Sequence, residues 1–579
     1  MISKEDLVIG QTPQERISTK FTKTPCGRRK HTNAPWLTPG IPKGGGGWLR
    51  PPKAVPAAAP LAGRTRPGAA GPDALPRRWL RLRVPLGRFF VPFVERFEGP
   101  NERSKADNQE GKRPTGKTPI SGVCMTWPPL LRLKEALGPG AELAVVGGAV
   151  RDELLGRPHA DWDLATRLLP EVVMAKARAA GLKVIPTGLQ HGTVTVLLEG
   201  RPVEVTTFRS DGDYRDGRHP DSVKLGVDLQ EDLSRRDFTI NAMALPVGGG
   251  DLVDPFGGQA DLALRLIRAV GDPLQRFGED GLRTLRACRF AAQLGFEVEA
   301  VTLAAIPQRL EVARKVSVER VFTELDKLLR GRDPAKGLNL LAGSGLLDLW
   351  LPELRPLLGC GQNRHHRHDV WAHTLAVVGL TPAEPGLRWA ALLHDVGKPD
   401  TRSTGPDGQV HFYGHEARSL ELADGLLARL KASHVLRQEV AALIRHHGTH
   451  PSAAWGDAAC RRFLRHLQED SLPLAQWGAF RRADNLGKRL DAERQEDEHQ
   501  ALMARLEALA AAAPPLSVRA LALDGAALMR LTGRRGGPWL GELQRHLLEA
   551  VLDHPEANTP ERLAILARDL LDGDQNPLG

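Results

Sequence analysis

Long apolar runs are missing from this 579-residue chain. No stretch of about eighteen apolar residues occurs, so the sequence offers no membrane-spanning helix. Cysteine is scarce: Cys26, Cys124, Cys288, Cys360 and Cys460 lie scattered with no CxxC pair. That excludes a cysteine zinc cluster and fits a reducing, cytoplasmic compartment. No internal repeat and no cleavable signal segment are visible. What remains is ordinary globular composition, 41% hydrophobic and 26% charged, long enough for several domains.

The net charge of +10 is unevenly placed. Residues 1–124 hold 23 Lys and Arg against 9 Asp and Glu, which leaves 56 against 60 for the remainder. The bulk of the chain is therefore no general polyanion binder, and any RNA contact must use a local patch. The first 124 residues also hold 17 of the 44 prolines and the run Gly44–Gly47. They lack any sustained period of 3.6 or 2 and read as a disordered extension. The arginine-rich apolar stretch Trp79–Val94 is interrupted by Pro85 and Pro92, which breaks a targeting helix. Two origins stay open for the extension: a start assigned too early, with the product beginning at Met125, or a basic tail that strengthens RNA binding.

From Met125 the pattern becomes regular. Leu130–Leu137 fits a helix, Ala144–Val146 a short strand, and Gly147-Gly148 a turn into the helix Val150–Leu155. Gly192–Leu198 and Pro202–Phe208 flank a Glu199-Gly200 turn and predict a hairpin. Helical periodicity dominates from Leu274 onward, and the strand pattern stops near residue 265.

Chemistry concentrates in GGAVRDELLGRPHADWDLAT, Gly147–Thr166. A Gly-Gly turn after a strand lets backbone N–H groups approach phosphates. Arg151 offers a bidentate phosphate fork. Asp161 and Asp163, two residues apart on an extended segment, project to one side and can grip one cation. Glu204, between Val203 and Val205, supplies a third carboxylate on another strand, as two-metal phosphoryl transfer requires. Alone, a DxD is a solvated loop and a GG an ordinary turn; their order and spacing give them weight.

This segment, together with RRDFTINAMA (Arg235–Ala244), EDGLRTLRACRF (Glu279–Phe290) and SVERVFTEL (Ser317–Leu325), resembles the ordered signatures of class II tRNA nucleotidyltransferases and bacterial poly(A) polymerases. The resemblance covers roughly 125–355. It implies Mg2+ ligation by Asp161 and Asp163 with Glu204 as third acid, and triphosphate binding by Gly148 and Arg151. It further implies a nucleotide contact by Arg236, ribose sensing by Asp237 and Asn241, base-edge reading by Asp280 and Arg283, and nucleotide contacts by Arg286 and Arg289. Asp280 and Arg283 read as an i, i+3 pair on one helix, with a plain surface salt bridge as the bland alternative; Arg286 and Arg289 alone could equally be solvated positives.

A second set, His373, His394-Asp395 and Asp484, resembles the HD phosphohydrolase superfamily. It implies a divalent metal of unspecified identity, with His415, His446 and His447 as a phosphate pocket or as extra ligands. The alternative is an HD fold kept only as structure. Leu521–Val551 resembles the C-terminal segment of HD-bearing CCA-adding enzymes, and there Arg530, Arg534 and Arg535 are candidates for tRNA backbone contact.

The expected fold class is α+β. A mixed-sheet nucleotidyltransferase head spans 125–265, a helical neck 266–355, an HD domain 356–500 and a helical, tRNA-binding tail 501–579. The expected function is addition of C and A to the 3′ end of tRNA from CTP and ATP, with no membrane partner. Poly(A) polymerase and partial CC- or A-only enzymes share the head. The loop Arg209–Pro220 resembles the flexible loop of full CCA-adding enzymes. An HD phosphohydrolase with an RNA-binding head is the reading from another class. Oligomeric state is open.

Overall fold

The computed structural model describes residues 127–158, 161–212, 222–362, 368–406, 408–449, 455–488 and 492–573. The extension 1–124 and most of the loop Arg209–Pro220 lie outside the described residues.

The head is a six-stranded mixed sheet with helices, as expected. Its strands are β1 (Ala144–Val146), β2 (Asp163–Thr166), β3 (Lys183–Ile185), β4 (Thr193–Leu198), β5 (Arg201–Thr207) and β8 (Ala244–Pro246), in the order β3-β4-β5-β2-β1-β8. Between β5 and β8, β6 (Arg209–Asp211) and β7 (Val223–Leu225) form a separate antiparallel pair. Only β2 and β5 run parallel within the large sheet. Both β1 valines are buried between β2 and the edge strand β8, whereas β5 alternates: Val203 and Val205 face the core, and Glu204 faces solvent. The Glu199-Gly200 turn has φ of +50° and +79°, the left-handed pair that a tight hairpin favours. Helices α1 (Pro128–Leu137), α2 (Gly148–Leu154) and α3 (Pro170–Ala179) accompany the sheet, followed by α4 (Leu229–Ser234) and α5 (Gly258–Ala263).

Helices then dominate. The segments that matter for the sites are α6 (Pro273–Glu279), α7 (Leu282–Leu294), α8 (Ala300–Ala305), α9 (Leu310–Ala313) and α10 (Val318–Leu329). They continue through α11 (Pro334–Ser344), α12 (Leu346–Trp350), α13 (Val370–Leu380), α14 (Pro385–Leu393), α15 (Lys398–Thr401), α16 (His415–Arg429), α17 (His434–His447), α18 (Asp457–Glu469) and α19 (Leu474–Gly487). The expected end of strand structure near 265 needs correction. Leu266–Ile267 pairs with Glu297–Val298, and Ser403–Thr404 with Val410–His411. Two-residue strands leave no periodicity to read.

One apolar cluster runs without a break from Leu130 to Leu506; a second, from Leu521 to Ala567, forms the C-terminal core. The two parts are tied by arginines of α18. Arg461 donates to the Leu552 and Asp553 carbonyls at the end of the helix Pro538–Asp553, and Arg462 pairs with Glu549 and Asp553. Cations on the free carbonyls of a helix C-terminus are favourably placed.

Candidate active sites

The parallel register of β2 and β5 sets Asp163 opposite Glu204, and the Glu204 amide donates to the Trp162 carbonyl. Asp161 lies just before β2. Of the three predicted acids, Asp163 lines a cleft of about 420 Å³, and Glu204 and Asp161 are its neighbours in register and in charge. Asp163 is open to that cleft, yet crowding around its carboxyl raises its pKa; Arg236 opposes the rise and Asp161 adds to it. Clustered hard oxygen donors whose charges repel are what a divalent cation relieves, so the residues present fit one. Gly147 closes the other side with φ +72°; a Cβ there would stand 3.2 Å from Arg236 Nη1 and 3.7 Å from Asp163 Oδ2. Only glycine leaves that space open.

Arg151, Asp237, Asn241 and Arg286 form one connected network. Arg151 Nη1 donates to Asn241 Oδ1 at 2.7 Å, and Asn241 Nδ2 donates to Asp237 Oδ1 at 3.1 Å. Arg286 Nε donates to Asp237 Oδ2 at 2.7 Å. The rest of the Arg151 fork grips Asp152. Burial alone would raise the Asp237 carboxyl, but the Arg286 guanidinium and the Asn241 amide hold it down to about 2. A depressed carboxylate stabilises the fold fully above its unfolded pKa, and that contribution is lost as pH falls through the folded value. Asp237→Asn is therefore expected to cost about 2 kcal/mol at pH 7, with the difference vanishing near pH 2; urea unfolding at the two pH values checks this.

Asp280 and Arg283 both line the cleft, but not as an i, i+3 pair on one helix. Asp280 is extended, φ −140° and ψ 109°, in the break between α6 and α7, where Oδ1 accepts from the Leu282 amide. Its Oδ2 accepts from Arg320 Nη2 at 2.7 Å. Arg283 Nη1 donates to Glu279 Oε2 and the Arg276 carbonyl, and Nη2 to the Arg235 carbonyl. Each member is fixed separately, so their relative placement does not depend on a bond between them. Arg289 pairs with buried Glu324 and lies over Phe290, 3.8 Å from the ring centroid. Gly148 and Arg236 also line the cleft.

Sequence reasoning missed Arg235, Phe290 and Arg320 in the cleft wall, and it missed Asp232. Asp232 is fully buried and accepts from Arg235 and Arg236 together. The repeated arginines Arg235-Arg236, three and four residues past an aspartate in a helical segment, were the available signal.

The second site lies at the centre of α13, α14, α17 and α19. His373, His394, Asp395 and Asp484 converge there, all buried. His373 Nε2 stands 3.3 Å from both His394 Nε2 and Asp484 Oδ1. His394 is oriented by Nδ1 toward the Ala391 carbonyl, His415 toward Phe412, and His447 toward Ile444. A ring held through Nδ1 presents Nε2 as a lone pair. His415 Nε2 and His447 Nε2 then face each other at 3.2 Å. Two inward lone pairs at that distance call for a cation between them, and the donor set suits a divalent transition metal. Among the described residues the ligand atoms form two groups, His373, His394 and Asp484, and Asp395, His415 and His447. His446 is not part of either: its Nε2 is bonded to Asp470 Oδ2 at 2.7 Å. Lys398 caps Asp395, while Lys488 and Arg481 cap Asp484. Burial disfavours both carboxylates' charges, but the histidines and lysines around them pull their pKa values well below the usual range.

A mixed-sheet head with clustered acids beside an arginine-walled cleft, followed by a buried His/Asp centre, defines a nucleotidyltransferase carrying an HD-type metal domain. Residues 143–268 match the poly A polymerase head domain family, 295–358 the probable RNA and SrmB-binding site of polymerase A, and 370–506 the HD domain. The CCA-adding enzyme of Geobacillus thermodenitrificans (strain NG80-2) is 36% identical over 428 residues, 73% of this chain and 92% of that protein. That of Geobacillus sp. (strain WCH70) is 34% identical over 437 residues, 75% and 95%. Among solved structures, the Bacillus stearothermophilus CCA-adding enzyme in complex with CTP has 30% identity and a TM-score of 0.59, covering 77% of this chain and 99% of that one. The chain belongs to the CCA-adding enzyme family.

Proposed function

We propose that this chain adds C and A nucleotides to the 3′ end of tRNA, taking CTP and ATP as substrates. The observation that carries the reading is the cleft itself. Paired aspartates border arginines, and a buried Asp237–Asn241 pair is held in a fixed network. The acids Asp161, Asp163 and Glu204 would hold Mg2+, which would offset charge developing on the phosphates. Gly147 and Gly148 let the triphosphate approach the backbone, and Arg151 and Arg236 bind it. Asp237 and Asn241 accept and donate toward the ribose hydroxyls. The 3′-hydroxyl of the tRNA gives up its proton to solvent, its oxygen forms the new bond to the α-phosphorus, the bond from that phosphorus to the β-phosphate oxygen breaks, and pyrophosphate leaves. Asp280 and Arg283 read the base edge, with Arg286 and Arg289 on the same wall.

The head, neck, HD domain and tail divide near residues 265, 355 and 500, and the tail touches tRNA through Arg530, Arg534 and Arg535. Incorporation of labelled CTP and ATP into tRNA lacking its 3′ end tests the assignment. Addition of C, C and A and then arrest supports it. A long run of A would show a poly(A) polymerase, and C alone or A alone a partial enzyme.

Arg283→Ala is expected to cost discrimination more than binding. CTP and ATP should lose about 1–3 kcal/mol of preference over UTP and GTP, while triphosphate affinity changes little. Unchanged base choice in competition assays would remove the base-reading role.

The HD-type centre supports a second reading, a divalent-metal phosphohydrolase. His373, His394 and Asp484 would hold one ion, and Asp395, His415 and His447 form a second candidate ligand group. Such ions polarise a phosphoryl oxygen and activate water. Hydrolysis of a phosphate monoester by the whole chain, dependent on added Mn2+ or Ni2+ and lost with chelator, is the expected result.

A further inference from the structure

Three arginines of the nucleotide cleft meet on one aromatic ring. The guanidinium carbons of Arg289, Arg151 and Arg286 lie over the Phe290 ring, 3.8, 5.3 and 5.4 Å from its centroid. All three distances are within cation–π reach. An arginine beside an aromatic residue is common packing. Three at one ring, all lining the same cleft as the ring itself, are a built arrangement. Two come from the ring's own helix, α7, where Arg286 precedes Phe290 by one turn and Arg289 adjoins it. Arg151 reaches the ring from α2. Each guanidinium has its own carboxylate: Arg151 pairs with Asp152, Arg286 with Asp237 and Arg289 with Glu324. Hydrogen bonds take guanidinium edges, so these pairs do not compete with a ring for the faces. The ring is itself fixed. Phe290 is buried, and Phe238, the residue after Asp237, meets it edge to face with centroids 5.7 Å apart and planes at 85°.

Like charges gathered in one place repel. Burial lowers the pKa of Arg289, Glu324 opposes the fall, and the Arg286 charge adds to it. A triphosphate would offset such repulsion with its own charge; the negative face of a ring offsets part of it beforehand. Resting on the nucleotidyl-transfer reading of this cleft, we propose that Phe290 is a positioning residue, whose π face gathers Arg151, Arg286 and Arg289 where a nucleoside triphosphate meets them. Arg151 and Arg286 are also joined through Asn241 and Asp237. The ring closes that chain into a circuit running from α2 through the buried Asp237–Asn241 pair to α7 and back. Donors already assembled cost an incoming ligand less than donors it must draw together. Asp280 and Arg283 are fixed separately, by Arg320, Glu279 and backbone carbonyls. The ring therefore serves affinity for the triphosphate and not the choice of base.

The test keeps the ring's size and changes its charge distribution. Fluorine withdraws electron density from the face. Replacing Phe290 in the full chain by mono-, di- and trifluorophenylalanine therefore weakens cation–π attraction in steps while scarcely changing volume. KM for CTP and for ATP in tRNA extension should rise with each fluorine, reaching about tenfold with the trifluoro ring, and kcat should fall less. Phe290→Leu, which keeps apolar bulk without a π face, should match or exceed the trifluoro variant. Preference for CTP and ATP over UTP and GTP should stay at the wild-type value throughout. KM constant across the fluorinated series, or base preference lost in its place, overturns the proposal; a rise in Phe290→Leu alone would make the ring packing only. If the wild-type chain extends no tRNA, the nucleotidyl-transfer reading fails on its own, and binding decides the role of the ring. Equilibrium dialysis of labelled CTP with Mg2+ should then show affinity falling in the same steps. Equal affinity across the series, or no binding, overturns the proposal.

Discussion

Asp163→Asn is expected to lower nucleotide incorporation about a thousandfold or more while leaving the protein folded. The substitution keeps shape and hydrogen-bonding capacity, so the lost quantity is charge. Asp163 faces the cleft in register with Glu204 on the parallel strand, where a divalent ion would need both carboxylates. Its raised pKa means that the folded state disfavours the ionised form. Removing that charge should therefore leave thermal stability equal or slightly higher at neutral pH, because the cost of desolvating the carboxylate, and with it the repulsion from Asp161, outweighs the lost attraction to Arg236. Opposite signs for activity and stability are what a functional carboxylate gives. A structural carboxylate would lose both. Incorporation of labelled CTP into tRNA and a melting curve measure the two. Near-wild-type incorporation would remove Asp163 from the metal-holding set.

Local pattern carried much of the head. The buried β1 run, the alternating β5 with Glu204 outward and the Glu199-Gly200 turn are periodicity and turn chemistry, which a sequence displays directly. Long-range partners are not displayed. Nothing near Asp280 announces that Arg320, forty residues later, will bind it, or that the helix breaks at Asp280. Spacing alone implied a helical pair because i, i+3 is the default when no break is visible. Likewise Glu324 pairs with Arg289 across two helices, and Asp232 anchors Arg235 and Arg236 from a fully buried position. His446 and His447 are adjacent in sequence, yet one lies against Asp470 and the other faces the His/Asp centre. Neighbouring helical residues point about 100° apart, so only one of the two can face the same centre.

His394→Ala is expected to abolish the metal-dependent hydrolysis assigned to the HD-type centre and to leave nucleotide addition within about twofold of wild type. The two sites are not remote in the fold. Helix α10 reaches both: Arg320 and Glu324 hold Asp280 and Arg289 of the nucleotide cleft, while Phe322 stacks on Trp389 of α14 at 5.6 Å. That helix ends at His394. Contact alone does not couple two sites; an element with two arrangements is needed. Trp389 is fully buried and also donates to Asp326, so α14 is seated on α10 whether or not His394 is present. Truncating His394 removes an inward Nε2 and leaves that seat intact. Asp395 keeps Lys398, and Asp484 keeps Lys488 and Arg481, so neither buried carboxylate is stranded. Trp389→Ala is the contrasting case. It deletes the seat itself, is expected to cost about 3–5 kcal/mol, and should lower both activities through lost folded protein. Metal content by mass spectrometry, phosphatase rate and CTP incorporation, read on the folded fraction, separate the outcomes. Loss of incorporation in folded His394→Ala would show that the centre communicates with the nucleotide cleft through α10.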